Sequence, residues 1–200
     1  MSVRVVSYRF GELHPASIVL PCEWRVVPVM ASTADIDRMA TELLVENEFS
    51  KTLFRQSIVT ALDQARIVSA VFIAVMFGTE TSPVAASMIA CEFPMVPLTA
   101  GAIELEWMAD GRQTSRSSAS EGPMVVTERV QPMEMGEEGE GVDVWEMQAA
   151  IPHFQLGGLL FSISTSVVPI AQPLRTMAMA MLSTMRWIDQ EGSTDGIAAR

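Results

Sequence analysis

Apolar and polar positions repeat along this chain with two different periods, and the switches between them mark its elements. Over residues 33–47, Ile36, Met39, Ala40, Leu43 and Leu44 recur at helical spacing. Ser32 and Thr33 offer an N-cap, and Asp35 and Asp37 place negative charge in the first turn. The pattern predicts an amphipathic helix that stops near Asn47. A second helix is expected over about 51–69, with Phe54, Ile58, Leu62 and Ala65 as its apolar stripe. Arg55, Gln56, Asp63 and Arg66 form its polar side. The period then changes. Residues 70–77 are a continuous apolar run, residues 78–82 carry turn chemistry, and residues 84–93 are apolar again. This predicts a central antiparallel hairpin buried on both faces or nearly so.

Residues 99–109 fit a short helix capped by Thr99, and they fit a strand almost as well, because Ile103, Leu105 and Trp107 alternate with Glu104 and Glu106. The helix is the preferred reading. Residues 110–122, rich in Asp, Gly, Ser and Arg, read as a mobile connection. Strands are expected over 124–130 and 142–151, joined by a glycine-punctuated acidic loop over 133–141. After a turn at Gly157–Gly158, residues 159–168 alternate: Leu159, Phe161, Ile163, Thr165 and Val167 on one face, Leu160, Ser162, Ser164 and Ser166 on the other. Pro173 suits the first turn of a final helix running to about Trp187. At the other end, residues 1–21 read as irregular or weakly extended, broken by Gly11 and Pro15, with an edge strand as the alternative. A short strand follows over 24–29, placed at a sheet edge by Pro28, and residues 191–200 read as a flexible tail. The order of elements gives an α+β class: a single antiparallel sheet packed against helices, with a C-terminal helix, in one domain over 1–200.

Composition narrows the partners. The net charge is −11, from 24 acidic and 13 basic residues, and no basic patch interrupts it, so no nucleic acid partner is expected. Residues 67–78, the longest apolar run, are too short to span a bilayer, so no membrane partner is expected. Cys22 and Cys91 do not make a disulfide framework, and no secretory signal is seen, which together predict a cytoplasmic protein. Apolar residues are 49% of the chain and charged residues 18%, so either the core is large or apolar surface is reserved for a partner. Fifteen methionines fit both cases. Met177 and Met181, on the final helix, are either core filler or an adaptable interface. The tryptophans, Trp24, Trp107, Trp145 and Trp187, are either core or interface anchors.

Catalytic patterns are absent from the sequence. His14 and His153 stand at no zinc-ligand spacing, and there is no Gly-x-Ser-x-Gly, no phosphate loop and no dinucleotide fingerprint. No cofactor is expected. His153 is either a general base or a polar cap on the core. Glu134, Glu137, Glu138 and Glu140, with Asp143, form a solvated hairpin tip, a docking patch for a basic protein client, or a cation site; the spacing does not match a calcium loop.

The stretch Leu20-Pro21-Cys22-Glu23-Trp24-Arg25-Val26-Val27-Pro28-Val29 resembles the opening of an uncharacterised actinobacterial family that begins Leu-Pro-x-x-Trp and then enters two helices. Residues 65–77 and 83–87 are similar to the same group. A Trp-containing first strand, antiparallel strands and a C-terminal helix also resemble the Mog1/PsbP-like fold, whose members mostly serve as binding or assembly modules. The expectation is a non-catalytic protein-interaction or assembly domain that associates with a protein partner or with itself. The alternative is a small-molecule-binding protein or enzyme with a pocket between sheet and helices. Its sign would be a cavity lined by convergent polar groups such as His153, Arg129 or Glu128.

Overall fold

Side chains alternate between the two faces of a large sheet, and the fold covers one face with a single core and the other with two separate helical covers. The computed structural model describes residues 5–10, 16–43, 48–79, 82–93, 99–120, 122–135, 140–153 and 157–188. In chain order the elements are β1 (Val5–Phe10), β2 (Ala16–Pro21), β3 (Trp24–Val26), α1 (Thr33–Leu43), α2 (Glu48–Ile67), β4 (Ala70–Thr79) and β5 (Ser82–Phe93). There follow α3 (Ala100–Ala109), β6 (Thr114–Ala119), β7 (Gly122–Met135), β8 (Glu140–His153), β9 (Gly157–Thr165), α4 (Ala171–Leu182) and β10 (Arg186–Trp187). Seven strands form one antiparallel sheet in the order β3-β4-β5-β9-β8-β7-β6. The class is α+β, as the patterning predicts.

One face of this sheet packs on the rest of the fold's largest core. Phe72, Met88, Phe161, Ile163, Trp145 and Met147 point to that side and meet Ile18 and Leu20 of β2 and Leu174, Ala178 and Met181 of α4. The opposite face carries two separate covers. At the β4–β5 side, Ile73, Val75 and Ile89 pack under Ile36 of α1 and Phe54, Ile58 and Leu62 of α2. At the β7–β8 side, Val125 and Ala150 pack under Ile103 and Trp107 of α3. The 70–93 hairpin is therefore buried on both faces in its middle, which is why its sequence lacks alternation.

Local chemistry sets the helix ends. Ser32 and Asp35 cap α1 reciprocally: the Ser32 backbone N–H donates to Asp35 Oδ2 at 3.0 Å, and the Asp35 N–H donates to Ser32 Oγ at 3.3 Å. These hydrogen bonds from Ser32, with the Arg38 charge, hold the Asp35 carboxyl below its ordinary value against some desolvation. Thr99 caps α3 by accepting from the Ala102 N–H at 3.2 Å, which decides the helix-or-strand ambiguity of 99–109. α3 ends in a Schellman motif. Gly111, at φ +77°, donates to Met108 O, and the Arg112 N–H donates to Trp107 O at 3.0 Å.

Four expectations are corrected. Within 1–21, residues 5–10 and 16–21 are strands rather than irregular, in line with the edge-strand alternative: β1 and β2 pair from Val5↔Pro21 to Phe10↔Ala16, with Ala16, Ile18 and Leu20 buried. Within 110–122, Thr114–Ala119 pair along β7 as an edge strand in place of the expected mobile connection. The final helix stops at Leu182 rather than near Trp187. The Thr184 hydroxyl donates to Met181 O at 2.6 Å and accepts from the Val19 N–H at 3.0 Å, turning the chain so that Arg186 and Trp187 pair with β2. The sheet is also not alone: β1, β2 and β10 form a second, three-stranded sheet beside the main one. The tail at 191–200 lies outside the described residues.

Candidate functional site

The two covers on the second face do not meet. Between α2 and α3, the middle of β9, β8 and β7 stays open, and its side chains there are polar. Register aligns them in two rows. Ser87, Ser164, Glu146 and Arg129 lie opposite one another across β5, β9, β8 and β7. Ser162, Gln148 and Thr127 form the next row, with Thr114 of β6 at its end.

Two adjoining clefts occupy this floor. One, of about 260 Å³, is lined by Gly111, Arg112, Gln113, Thr127, Glu128, Arg129, Glu146 and Gln148. The other, also about 260 Å³, runs between the sheet and one stripe of α2, where Gln56, Ser57, Thr60 and Gln64 face Ser87, Ser164 and Ser166. They meet where Glu146 and Ser164 stand opposite each other. The first is charged, and the second has only hydroxyl, amide and apolar groups.

Glu146 is the hub. Its side chain is 13% exposed. Oε1 accepts from Ser162 Oγ at 2.7 Å and from Gln148 Nε2 at 3.0 Å, and Oε2 accepts from Arg129 Nε at 2.7 Å. Burial pushes this carboxyl up. The hydrogen bonds from Ser162, Gln148 and Arg129, with the Arg129 charge, more than reverse that and hold it below its ordinary 4.5. Gln148 in turn accepts from Arg112 Nη1 at 2.8 Å, and the Arg112 guanidinium lies 5.5 Å from the Trp107 ring centroid. The Schellman turn thus aims Arg112 across the sheet, and a buried aromatic of α3 supports it. Next door, the Ser87 and Ser164 hydroxyls share a hydrogen bond of 3.0 Å.

The residues singled out in the sequence fall in different places. Glu134 and Glu140 belong to the paired ends of β7 and β8, opposite Gly141 and Met135, while Glu137 and Glu138 lie outside the described residues. Met181 is 3% exposed in the main core, and Met177 packs against that core, half-buried. Trp24, Trp107 and Trp145 are buried as well. His153 packs edge-on against Trp187, ring centroids 4.9 Å apart. Of the three polar groups proposed for a pocket, Arg129 and Glu128 line the first cleft and His153 does not. Glu128 holds Arg175 of α4 at 2.6 Å, and Cys22 and Cys91 are unpaired thiols.

Sequence reasoning passed over Glu146, Gln148 and Arg112. The serine alternation on β9 and Gly111 directly after a helical stretch were their visible signals. Among the described residues, no three His, Cys, Asp or Glu side chains are placed to hold a metal ion, and no helix is long and apolar enough to cross a membrane. No protein-family model matches the chain, and no curated protein matches it.

Proposed function

We propose that the chain is a non-catalytic binding domain whose ligand lies on the open polar floor between α2 and α3. The observation that carries this is the Arg112–Gln148–Glu146–Arg129 network with Ser162, an ordered and partly buried polar array in a cleft that the fold leaves uncovered. A sheet face without a binding role is normally apolar under a cover or loosely solvated. A hydrogen-bonded array in a concave site is the usual form of a pre-organised recognition surface. Each cleft alone is smaller than the ~300–1,000 Å³ typical of small-molecule sites, and the adjoining pair reaches that range.

The chemistry argues against Glu146 as a general base. Ser162 donates to Glu146, which has the outline of a nucleophile and base. A general base needs a proton affinity near the working pH, and Glu146 is shifted the wrong way. The unpaired cysteines fit a reduced, cytoplasmic setting, which is part of the proposal. The likeness to Mog1/PsbP-like binding modules is kept with it.

The test is a thermal-shift screen of small polar compounds on wild type and on Gln113→Trp, an exposed position lining the first cleft, which its indole would fill. Compounds that stabilise wild type and lose that effect in the variant support the proposal. Stabilisation that is equal in both contradicts it.

Self-association is a second reading, favoured by β6. This six-residue edge strand, TSRSSA, carries no proline, and its one charged residue, Arg116, is paired with Glu104 of α3. Beside it on α3, Leu105 and Met108 are 70% and 57% exposed. Light scattering across a concentration series decides this: a dimer that Ser117→Pro dissolves supports it, and a monomer throughout removes it.

A further inference from the structure

The first cleft distributes its hydrogen-bonding capacity unevenly, and the imbalance indicates what it would take. A carboxylate offers about four lone-pair positions. Those of Glu146 are mostly engaged. Oε1 accepts from Ser162 and Gln148, and Oε2 accepts from Arg129 Nε at 2.7 Å, with Arg129 Nη2 in ion-pair contact at 2.6 Å. Gln148 Oε1 already accepts from Arg112. Glu128 stands opposite Met147, a residue of the α4 side, and is taken by Arg175 of that helix. The protein's own donors thus occupy the acid and amide oxygens of the cleft.

The donors are not exhausted. A guanidinium carries five N–H groups. Arg129 commits Nε and Nη2 to Glu146, and its Nη1 has no partner among the described residues. Arg112 commits Nη1 to Gln148. Its Nη2 lies 3.7 Å from Asp110, beyond hydrogen-bonding distance, and its Nε has no partner among the described residues. Charge points the same way. Arg129 pairs with Glu146 at 2.6 Å and Arg175 with Glu128 at 2.6 Å, whereas Arg112 has only a longer ion pair with Asp110 at 3.7 Å, whose side chain is 57% exposed, so Arg112 is the least neutralised of the three cations. In a chain of net charge −11, this donor-rich spot contrasts with the acidic balance of the whole.

We propose that this cleft is an anion site in which Arg112 and Arg129 grip a carboxylate or phosphate group of a small polar ligand, whose neutral remainder lies toward Ser164 and α2. The proposal rests on the cleft being a binding site and adds the group it recognises. Planar guanidinium forks suit both anions, since each presents two oxygens to parallel N–H groups. The Gln148–Glu146 pair ties the forks into one network before the ligand arrives, which reduces the ordering cost of binding. The neutral hydroxyl and amide stripe of the second cleft is chemically suited to the uncharged part of such a ligand.

The experiment uses the full chain labelled with ¹⁵N. Sodium phosphate and sodium acetate are titrated separately, at constant ionic strength against sodium chloride. Arginine Nε–Hε resonances and the backbone amides of Arg112, Gln113, Thr127 and Gln148 are followed. The expected result is a saturable shift at these positions with at least one anion and none with chloride; the preferred anion distinguishes the two sources. Arg112→Gln weakens the response about tenfold, the loss of a charge-assisted hydrogen bond. Arg129→Gln does the same but also disturbs Glu146, so Arg112→Gln carries the decision. Arg38→Gln, on α1, leaves the response unchanged. Unsaturating shifts spread over all arginines, or wild-type binding by Arg112→Gln, overturn the assignment. If neutral compounds act through the cleft while neither anion binds, the anion assignment alone falls. If nothing acts through the cleft, the binding reading falls with it.

Discussion

Replacing Glu146 tests the network on which the site depends. Truncation to alanine removes the acceptor for Ser162 and for Gln148 and releases Arg129. Hydrogen bonds to a charged group contribute about 1.5–3 kcal/mol when buried. Ser162 and Gln148 are only half-buried, so about 1 kcal/mol each is the better figure. Arg129 is 54% exposed, and its pair adds about 0.5 kcal/mol after solvent screening. Glu146→Ala should therefore cost about 2–3 kcal/mol. Glu146→Gln keeps one acceptor oxygen and the packing, and should cost about 1 kcal/mol. Urea unfolding measures both, with the slope unchanged if the transition stays two-state. In a double-mutant cycle with Ser162→Ala, the coupling should be about 1 kcal/mol, since each partner is useful only with the other. A loss below about 0.5 kcal/mol for Glu146→Ala, or additive single and double variants, would refute the claim that Glu146 organises the cleft floor.

Three further outcomes follow from the same coordinates. Because the Glu146 carboxyl is lowered in the folded state, its stabilisation is complete above its ordinary value of 4.5 and is lost as pH falls through the lower folded value. Urea midpoints for wild type should fall over that acid window by more than those for Glu146→Gln, and parallel curves would contradict this. Gly111→Ala forces a side chain onto φ +77° and should cost about 1–2 kcal/mol while displacing Arg112, read as a lower midpoint and altered Arg112 Nε shifts. Gly158→Ala would set its Cβ 2.5 Å from Ile151 O and 2.9 Å from Pro152 Cα, both backbone atoms, so a loss of at least about 2 kcal/mol or failure to fold is expected, and a wild-type melting curve would contradict the β8–β9 register.

The regular elements were legible where burial is one-sided or complete. β9 displays its two faces as Leu-Phe-Ile-Thr against Leu-Ser-Ser, and β4 displays its double burial as an unbroken apolar run. β6 gave no such signal, because an edge strand buries little: only Ala119 of its six residues is buried, and Thr-Ser-Arg-Ser-Ser reads as loop chemistry. β2 does alternate, with Ala16, Ile18 and Leu20 inward, but Gly11 and Pro15 obscured it, and β10 is a two-residue pairing made possible by Thr184. The candidate site was nearly invisible for a different reason. Glu146 and Gln148 are separated along the chain from Arg112, Ser162 and the α2 stripe, and no local spacing brings them together. What makes them a site is the gap between two helical covers, which is a tertiary property. Gly111 directly after a helix was the overlooked local cue, since a left-handed residue there fixes where Arg112 emerges.

The most direct measurement is amide chemical-shift mapping of the labelled protein with whichever small compounds stabilise it. The account predicts that shifts concentrate on Ser87, Arg112, Glu146, Gln148 and Ser164, on the face between α2 and α3. Shifts centred instead on α4, β1 and β2, with these residues unmoved, would contradict it.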